Sequence, residues 1–142
     1  MISSGCRMQV QEIPNQYINA VWPQVEDYIA AALEHSDNEV SLPEAKTYLI
    51  QGVWTLYGAI DSANEIHGVI AIHYFNRTDN RVAFVTAIGG KLLTNKELFS
   101  QLGDILRANG ATCIEGAVRD SLVRLWSRIG ARKKSNLIQI PL

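Results

Sequence analysis

The chain has 142 residues, 47% of them hydrophobic and 19% charged, with 13 Lys+Arg against 14 Asp+Glu and a formal net charge of −1. This length suits one domain that buries about two-thirds of its unfolded surface, and the apolar content excludes an intrinsically disordered chain. Two cysteines, Cys6 and Cys113, exclude a disulfide scaffold. The longest apolar runs, such as residues 69–72, fall far short of the roughly 18 residues of a membrane span. Residues 1–7 carry no apolar signal region, so a cytoplasmic protein is expected.

The pattern opens with residues 8–13, a short alternating run ended by Pro14. Ile18, Val21, Trp22, Val25, Tyr28, Ile29, Ala32 and Leu33 then recur at helical spacing, and the regular part of this helix is expected to begin at Pro23. Ser41 and Glu44 form a capping box that opens a short helix closed by Gly52. Three strand-like runs, residues 53–60, 66–75 and 81–88, are separated by turn compositions of hairpin length, which predicts an antiparallel meander. Gly89 and Gly90 break the third run. Thr94 and Glu97 are read as a second capping box, opening a helix with Leu98, Leu102, Ile105 and Leu106 on one face.

Residues 112–117 read as a short buried strand. A helix capped by Asp120 or Ser121 follows, with Leu122, Leu125, Trp126 and Ile129 inward, and residues 137–140 form a last, exposed strand. The order β-α-α-β-β-β-α-β-α-β predicts an α/β domain with a mixed sheet. In it the strands 81–88 and 112–117, joined by a helix, are parallel neighbours.

Charge is uneven along the chain. Residues 1–65 carry two basic and nine acidic residues, whereas residues 66–142 carry eleven basic and five acidic. The basic excess peaks at Arg119, Arg124, Arg128, Arg132, Lys133 and Lys134, which suits a phosphorylated ligand, an acidic partner or the acidic half of the same molecule. The domain as a whole is not basic, which argues against nucleic acid as the main target.

The stretch GDILRANGATCIEGAVRDSLVRLWSRIGARKK, with its Gly-Ala turn, buried strand, short helix and closing Arg128-Ile129-Gly130-Ala131 turn, resembles the Gcn5-related N-acetyltransferase superfamily. The element order extends that resemblance over nearly the whole chain. Ile114-Glu115, Arg119 and Trp126 are similar to the corresponding residues of small acetyltransferase-like proteins of tailed bacteriophages, some of which are linked to virion assembly. The resemblance implies acetyl-CoA held in a wedge between two parallel strands. Its arm would lie along the earlier strand, and its pyrophosphate on amides of a Gln/Arg-x-x-Gly-x-Gly/Ala loop at the next helix start, where the dipole favours an anion.

The matching contacts are Ile88, Gly89, Gly90, Lys91 and Lys96, with Arg119 and Arg124 from the basic segment. This chain departs from the family in three places. Residues 88–97 contain no Gln/Arg-x-x-Gly-x-Gly/Ala; Arg119 stands where the family often has Asn; and Trp126 stands where it often has a general-acid Tyr, which an indole N–H cannot replace. With these departures the resemblance implies a degenerate acetyltransferase fold. It would act in virion assembly, or as another protein-interaction or self-associating module, with no cofactor required. The alternative is a divergent acetyl-CoA-dependent N-acetyltransferase, and a weaker third reading is a small-molecule or CoA sensor without turnover.

Two residues are candidates for catalysis. Glu115, on a buried strand, is either a general base or, by preference, a structural partner of Arg119 or a neighbouring arginine. His73 is a base or, more simply, a sheet-surface histidine. His67 and His73 are about 20 Å apart along one strand, too far to share an ion, so no metal is expected. Cys113 is read as a small core residue, Trp22, Trp54 and Trp126 as core or interface anchors, and Tyr17, Tyr28, Tyr48 and Tyr57 as groove lining or core edge.

Overall fold

A computed structural model describes residues 8–34, 40–117, 132–134 and 137–142, with the backbone alone described at 93, 94, 117, 132–134, 137 and 138. Strand β1 (Met8–Ile13) leads through a 3-10 turn at Asn15–Tyr17 into α1 (Ile18–Glu34), then α2 (Leu42–Gln51). The meander β2 (Thr55–Asp61), β3 (Ile66–Asn76) and β4 (Arg81–Gly90) follows. After it come a one-turn helix α3 (Lys91–Thr94), α4 (Lys96–Ala108), β5 (Cys113–Ala117), β6 (Arg132–Lys134) and β7 (Leu137–Pro141).

The strands form one seven-stranded mixed sheet in the order β1-β2-β3-β4-β5-β7-β6. The expected antiparallel meander is present, and β4 and β5 are parallel neighbours in the register Val82↔Cys113 to Val85↔Gly116. Each face carries its own core. Ile70, Ile72, Ala83, Val85 and Ile114 pack with Leu98, Leu102 and Leu106 of α4 on one side. Val69, Ala71, Ala87 and Leu56 pack with Ile18, Trp22, Val25 and Ile29 of α1 and Leu49 of α2 on the other. Alternation along each strand thus divides the apolar residues between two helical layers, as a sheet covered on both faces requires.

Local signals explain the helix ends. The Ser41 hydroxyl accepts from the Glu44 amide at 3.3 Å while the Ser41 amide donates to Glu44 Oε1 at 3.2 Å, and Gly52 closes α2 at φ +77°.

Four expectations need correction. Helix α1 begins at Ile18, so Pro23 lies inside it rather than at its start; the missing donor there leaves only the Asn19 carbonyl without its helical partner. Asn95, not Thr94, caps α4, its side chain accepting from the Leu98 amide at 3.0 Å; both are good capping residues, and the extended backbone falls at Asn95. The final strand is not an open edge, because β7 lies between β5 and β6. β6 itself, the sequence Arg-Lys-Lys, was too polar to be read as a strand, and such charge suits an edge. The expected helix after Asp120, with Trp126 and the 128–131 turn, lies outside the described residues.

Candidate functional site

The functional geometry is set by an irregularity in β4. Val85 pairs with Ile72 of β3 and Ala87 with Ala71, so Thr86 is an extra residue on β4, a bulge that bends and twists the strand. The Thr86 hydroxyl donates to the Ala71 carbonyl at 3.0 Å and so helps satisfy the interrupted ladder. Before the bulge β4 pairs with both β3 and β5, and the pairing with β5 stops at Val85↔Gly116. Beyond it residues 87–90 pair with β3, and among the described residues no strand takes their other side. Two parallel strands therefore part at the bulge. The backbone groups along that side of β4 form an inner edge, able to hydrogen-bond an extended ligand as a strand would.

At the far end of this edge lie the expected contacts Ile88, Gly89, Gly90 and Lys91. The glycines are used by the fold itself. Gly90 has φ +74°, and a Cβ on it would stand 2.5 Å from the His67 carbonyl oxygen and 2.6 Å from Gly68 Cα. A Cβ on Gly89 would meet the Tyr28 carbonyl at 3.1 Å, and one on Gly68 the Lys91 amide nitrogen at 2.8 Å. Glycines 68, 89 and 90 thus let three backbones meet where the chain leaves β4 for α3. The Leu98 amide at the start of α4 is taken by Asn95, and Glu97 adds negative charge to that first turn. Lys91 and Lys96 are exposed beside it. Arg119 and Arg124 lie outside the described residues.

Glu115 is 2% exposed on β5, on the face opposite Ile114. Its Oε2 accepts from the Arg77 guanidinium and from Gln139 Nε2 at 2.9 Å, and Cys113 Sγ lies 4.0 Å away. The hydrogen bond to Glu115 holds the Arg77 guanidinium above its ordinary pKa range. The structural reading of Glu115 is thus supported, with a partner from the β3–β4 turn, 38 residues upstream. Cys113 is buried, as expected.

His73 on β3 is half-buried and pairs in register with Phe84 of β4, two residues before the bulge. Its Nδ1 stands 3.2 Å from the Val53 carbonyl oxygen. A carbonyl only accepts, so Nδ1 carries a proton there, which leaves the lone pair of the neutral ring on Nε2. The other histidine is engaged elsewhere: His67 Nε2 lies 2.7 Å from Asp61 Oδ2. Asp61 Oδ1 also accepts from the Ala63 and Glu65 amides at 2.8 and 2.9 Å. The His67 hydrogen bond first, and the Glu65 amide second, hold the Asp61 carboxyl below its ordinary pKa. Ligand atoms of Asp61, Glu65 and His67 lie within 4.8 Å of one another, a grouping that comparing only the two histidines had overlooked. The spacing Asp-x3-Glu-x-His across a predicted hairpin was its available signal.

The four tyrosines do not line one groove. Tyr57 is fully buried, its hydroxyl 2.6 Å from that of Tyr74 and within 3.4 Å of Asn109 Nδ2 at the end of α4. Burial above all pushes both phenols up, which makes them poor acids. Tyr28 packs on Gly90 and Tyr48 on Trp54, whereas Tyr17 is exposed. Trp22 and Trp54 are core residues.

No protein-family model matches this chain, and no curated protein matches it. Solved structures do. An N-acetyltransferase from Staphylococcus aureus Mu50 aligns over 96% of this chain and 98% of its own, at 10% identity and a TM-score of 0.66. A GNAT-family acetyltransferase from Listeria monocytogenes aligns over 100% and 99%, at 11% identity and a TM-score of 0.66. The chain has the fold of the Gcn5-related N-acetyltransferases. A third structure with this acetyltransferase fold is spermidine N-acetyltransferase from Vibrio cholerae, in complex with CoA and spermine. It covers 94% of this chain and 95% of its own, at 10% identity and a TM-score of 0.64. The register of β4 with β5 ends at Val85 and Gly116, between the two parallel strands where the resemblance implied a wedge.

Proposed function

We propose that this protein is a divergent acetyl-CoA-dependent N-acetyltransferase. The observation that carries the reading is the bulge at Thr86, past which β4 leaves β5 and residues 87–90 keep an inner edge that no strand takes among the described residues. That edge fits the extended arm of the cofactor. The phosphate end is less well provided for, because the local glycines serve chain packing and Asn95 holds the Leu98 amide. Lys91 and Lys96 supply the positive charge there among the described residues, as flexible point charges that salt screens.

When bound, acetyl-CoA supplies an activated acetyl thioester. The chain supplies orientation through the β4 edge, and His73 is the base, accepting the amine proton at Nε2 directly or through one water. Glu115 is tied to Arg77 and Gln139 and keeps β5 in place beside β4.

Calorimetric titration with acetyl-CoA, followed by thiol-release assays with primary amines, tests the reading. Two charge-assisted hydrogen bonds fewer at the pyrophosphate weaken binding about a hundredfold, so a dissociation constant above about 100 μM is expected at physiological ionic strength. No saturable binding at millimolar cofactor would reject the enzyme and return the interaction-module reading. Loss of turnover on His73→Gln with binding unchanged supports the assigned base.

A further inference from the structure

Three large hydrophobic residues, Tyr17, Ile50 and Val53, are exposed among the described residues, at 52%, 37% and 45%. They belong to neighbouring segments, because Asn15 beside Tyr17 donates to the Ile50 carbonyl at 3.1 Å and α2 ends at Gly52. Val53 carries this apolar surface onto the sheet, since its carbonyl is the partner of the His73 ring. His73 pairs in register with Phe84, and the Phe75 ring bridges them, 5.8 Å from the His73 ring and 6.3 Å from that of Phe84. All three rings are half-exposed. Phe84 stands one residue before Val85, where β4 and β5 make their last pair. An apolar strip therefore runs from the end of α2 to the mouth of the wedge.

We infer that this strip receives the acceptor, and that the acceptor is a primary monoamine carried on a flat apolar body. The inference rests on the acetyltransferase reading, because it is the wedge that gives the inner end of the strip a reaction to serve. Three observations choose this occupant. The strip is continuous with the candidate site, so what lies on it presents its end to the parting strands. Its surface is aromatic and aliphatic, which rewards burial of a ring more than hydrogen bonding. The charged group bordering it is the Arg77 guanidinium, 5.3 Å from the Phe75 ring and half-exposed. The strip residues include no carboxylate, and Glu115 is already bonded to that arginine, so a second cationic group on the acceptor finds no acid to pair with among them. His73 lies midway along the strip, where the proton lost by the amine can pass to its ring.

Phenethylamine and spermidine, compared as acceptors with the full chain, test this directly. Phenethylamine should have a kcat/KM at least about tenfold higher, the value of seating one ring in an apolar site. Phe84→Ala and the exposed-rim variant Val53→Ser, which does not touch the core, should each lower that advantage, Phe84→Ala by about tenfold. Binding of phenethylamine without cofactor, followed by NMR shift perturbation, is a second readout independent of transfer. Ring-amine binding lost on Phe84→Ala, with no transfer to any amine, would keep the strip and reject the acetyltransferase. Transfer to spermidine as good as to phenethylamine, or ring-amine binding unmoved by both variants, would keep the enzyme and overturn the strip.

Discussion

Residues 81–85 and 86–90 of β4 share one strand but are held differently. The first half is paired on both sides, and its neighbours are tied by long-range polar contacts: Arg77 and Gln139 on Glu115, the Arg81 guanidinium over the Tyr74 ring, and Tyr57 on Tyr74. In the second half residues 87–90 are paired with β3 alone among the described strands, and what fixes them is close backbone packing of glycines 68, 89 and 90 under α1 and α3. The protein thus spends its polar networks where the sheet is complete. Where an edge must stay open, it relies on steric fit from behind. The bulge at Thr86 marks the change from one regime to the other.

The largest effect is expected where that steric fit is disturbed. Gly90→Ala forces a side chain into a left-handed backbone and against the His67 carbonyl and Gly68 Cα, both backbone atoms that cannot step aside. A loss of about 2–4 kcal/mol is expected, read from the urea midpoint. A small loss would mean that the second half is loose rather than anchored. Next comes the fully paired half. Glu115→Gln removes the charge that faces Arg77, and since Arg77 is 46% exposed it regains water, so the loss should be on the order of 1–3 kcal/mol. Unchanged stability with lost acetylation would make Glu115 catalytic after all.

Much of this was legible in the sequence because the elements obey local rules. Alternation gave the meander, helical spacing gave the buried face of α4, and Ser41 with Glu44 gave the start of α2. The parallel placing of β4 and β5 followed from a strand–helix–strand crossover. What escaped depends on pairing between distant residues. Nothing in Val-Thr-Ala distinguishes a bulge from a regular strand, since the register is set by β3. The expected partner of Glu115 is Arg119 or a neighbouring arginine; Arg119 lies outside the described residues, and among these the sheet brings up Arg77. His73 was recognised as a candidate, but its tautomer follows only from the Val53 carbonyl.

The phosphate end of the wedge offers a milder change. Asn95→Gly removes the side chain that holds the Leu98 amide, while glycine remains an acceptable cap, so stability should fall by only a few tenths of a kcal/mol. The freed amide at the start of α4 should tighten acetyl-CoA binding by about three- to tenfold in calorimetry, as one added charge-assisted hydrogen bond partly offset by Glu97. Unchanged affinity would place the phosphates elsewhere, away from α4.

The smallest effect concerns the hairpin that holds Gly68 against the open half. The Asp61 carboxyl is held below its ordinary pKa of 3.8, first by its hydrogen bond with His67. A carboxylate whose pKa is lower in the folded state binds its proton less readily there than in the unfolded chain. Its contribution is therefore present above the unfolded pKa and is lost as pH falls through the folded one. Asp61→Asn keeps an oxygen to accept from the Ala63 and Glu65 amides but gives up the charge beside His67. The variant should be slightly less stable than the natural chain at about pH 6, and the difference should shrink toward zero as pH is lowered from about 4 to 2. Urea midpoints of the two proteins across that range measure it. A difference that stays constant down to pH 2 would show that the cost comes from lost packing in the turn, and that the charge of Asp61 does nothing to hold β3 beneath Gly90.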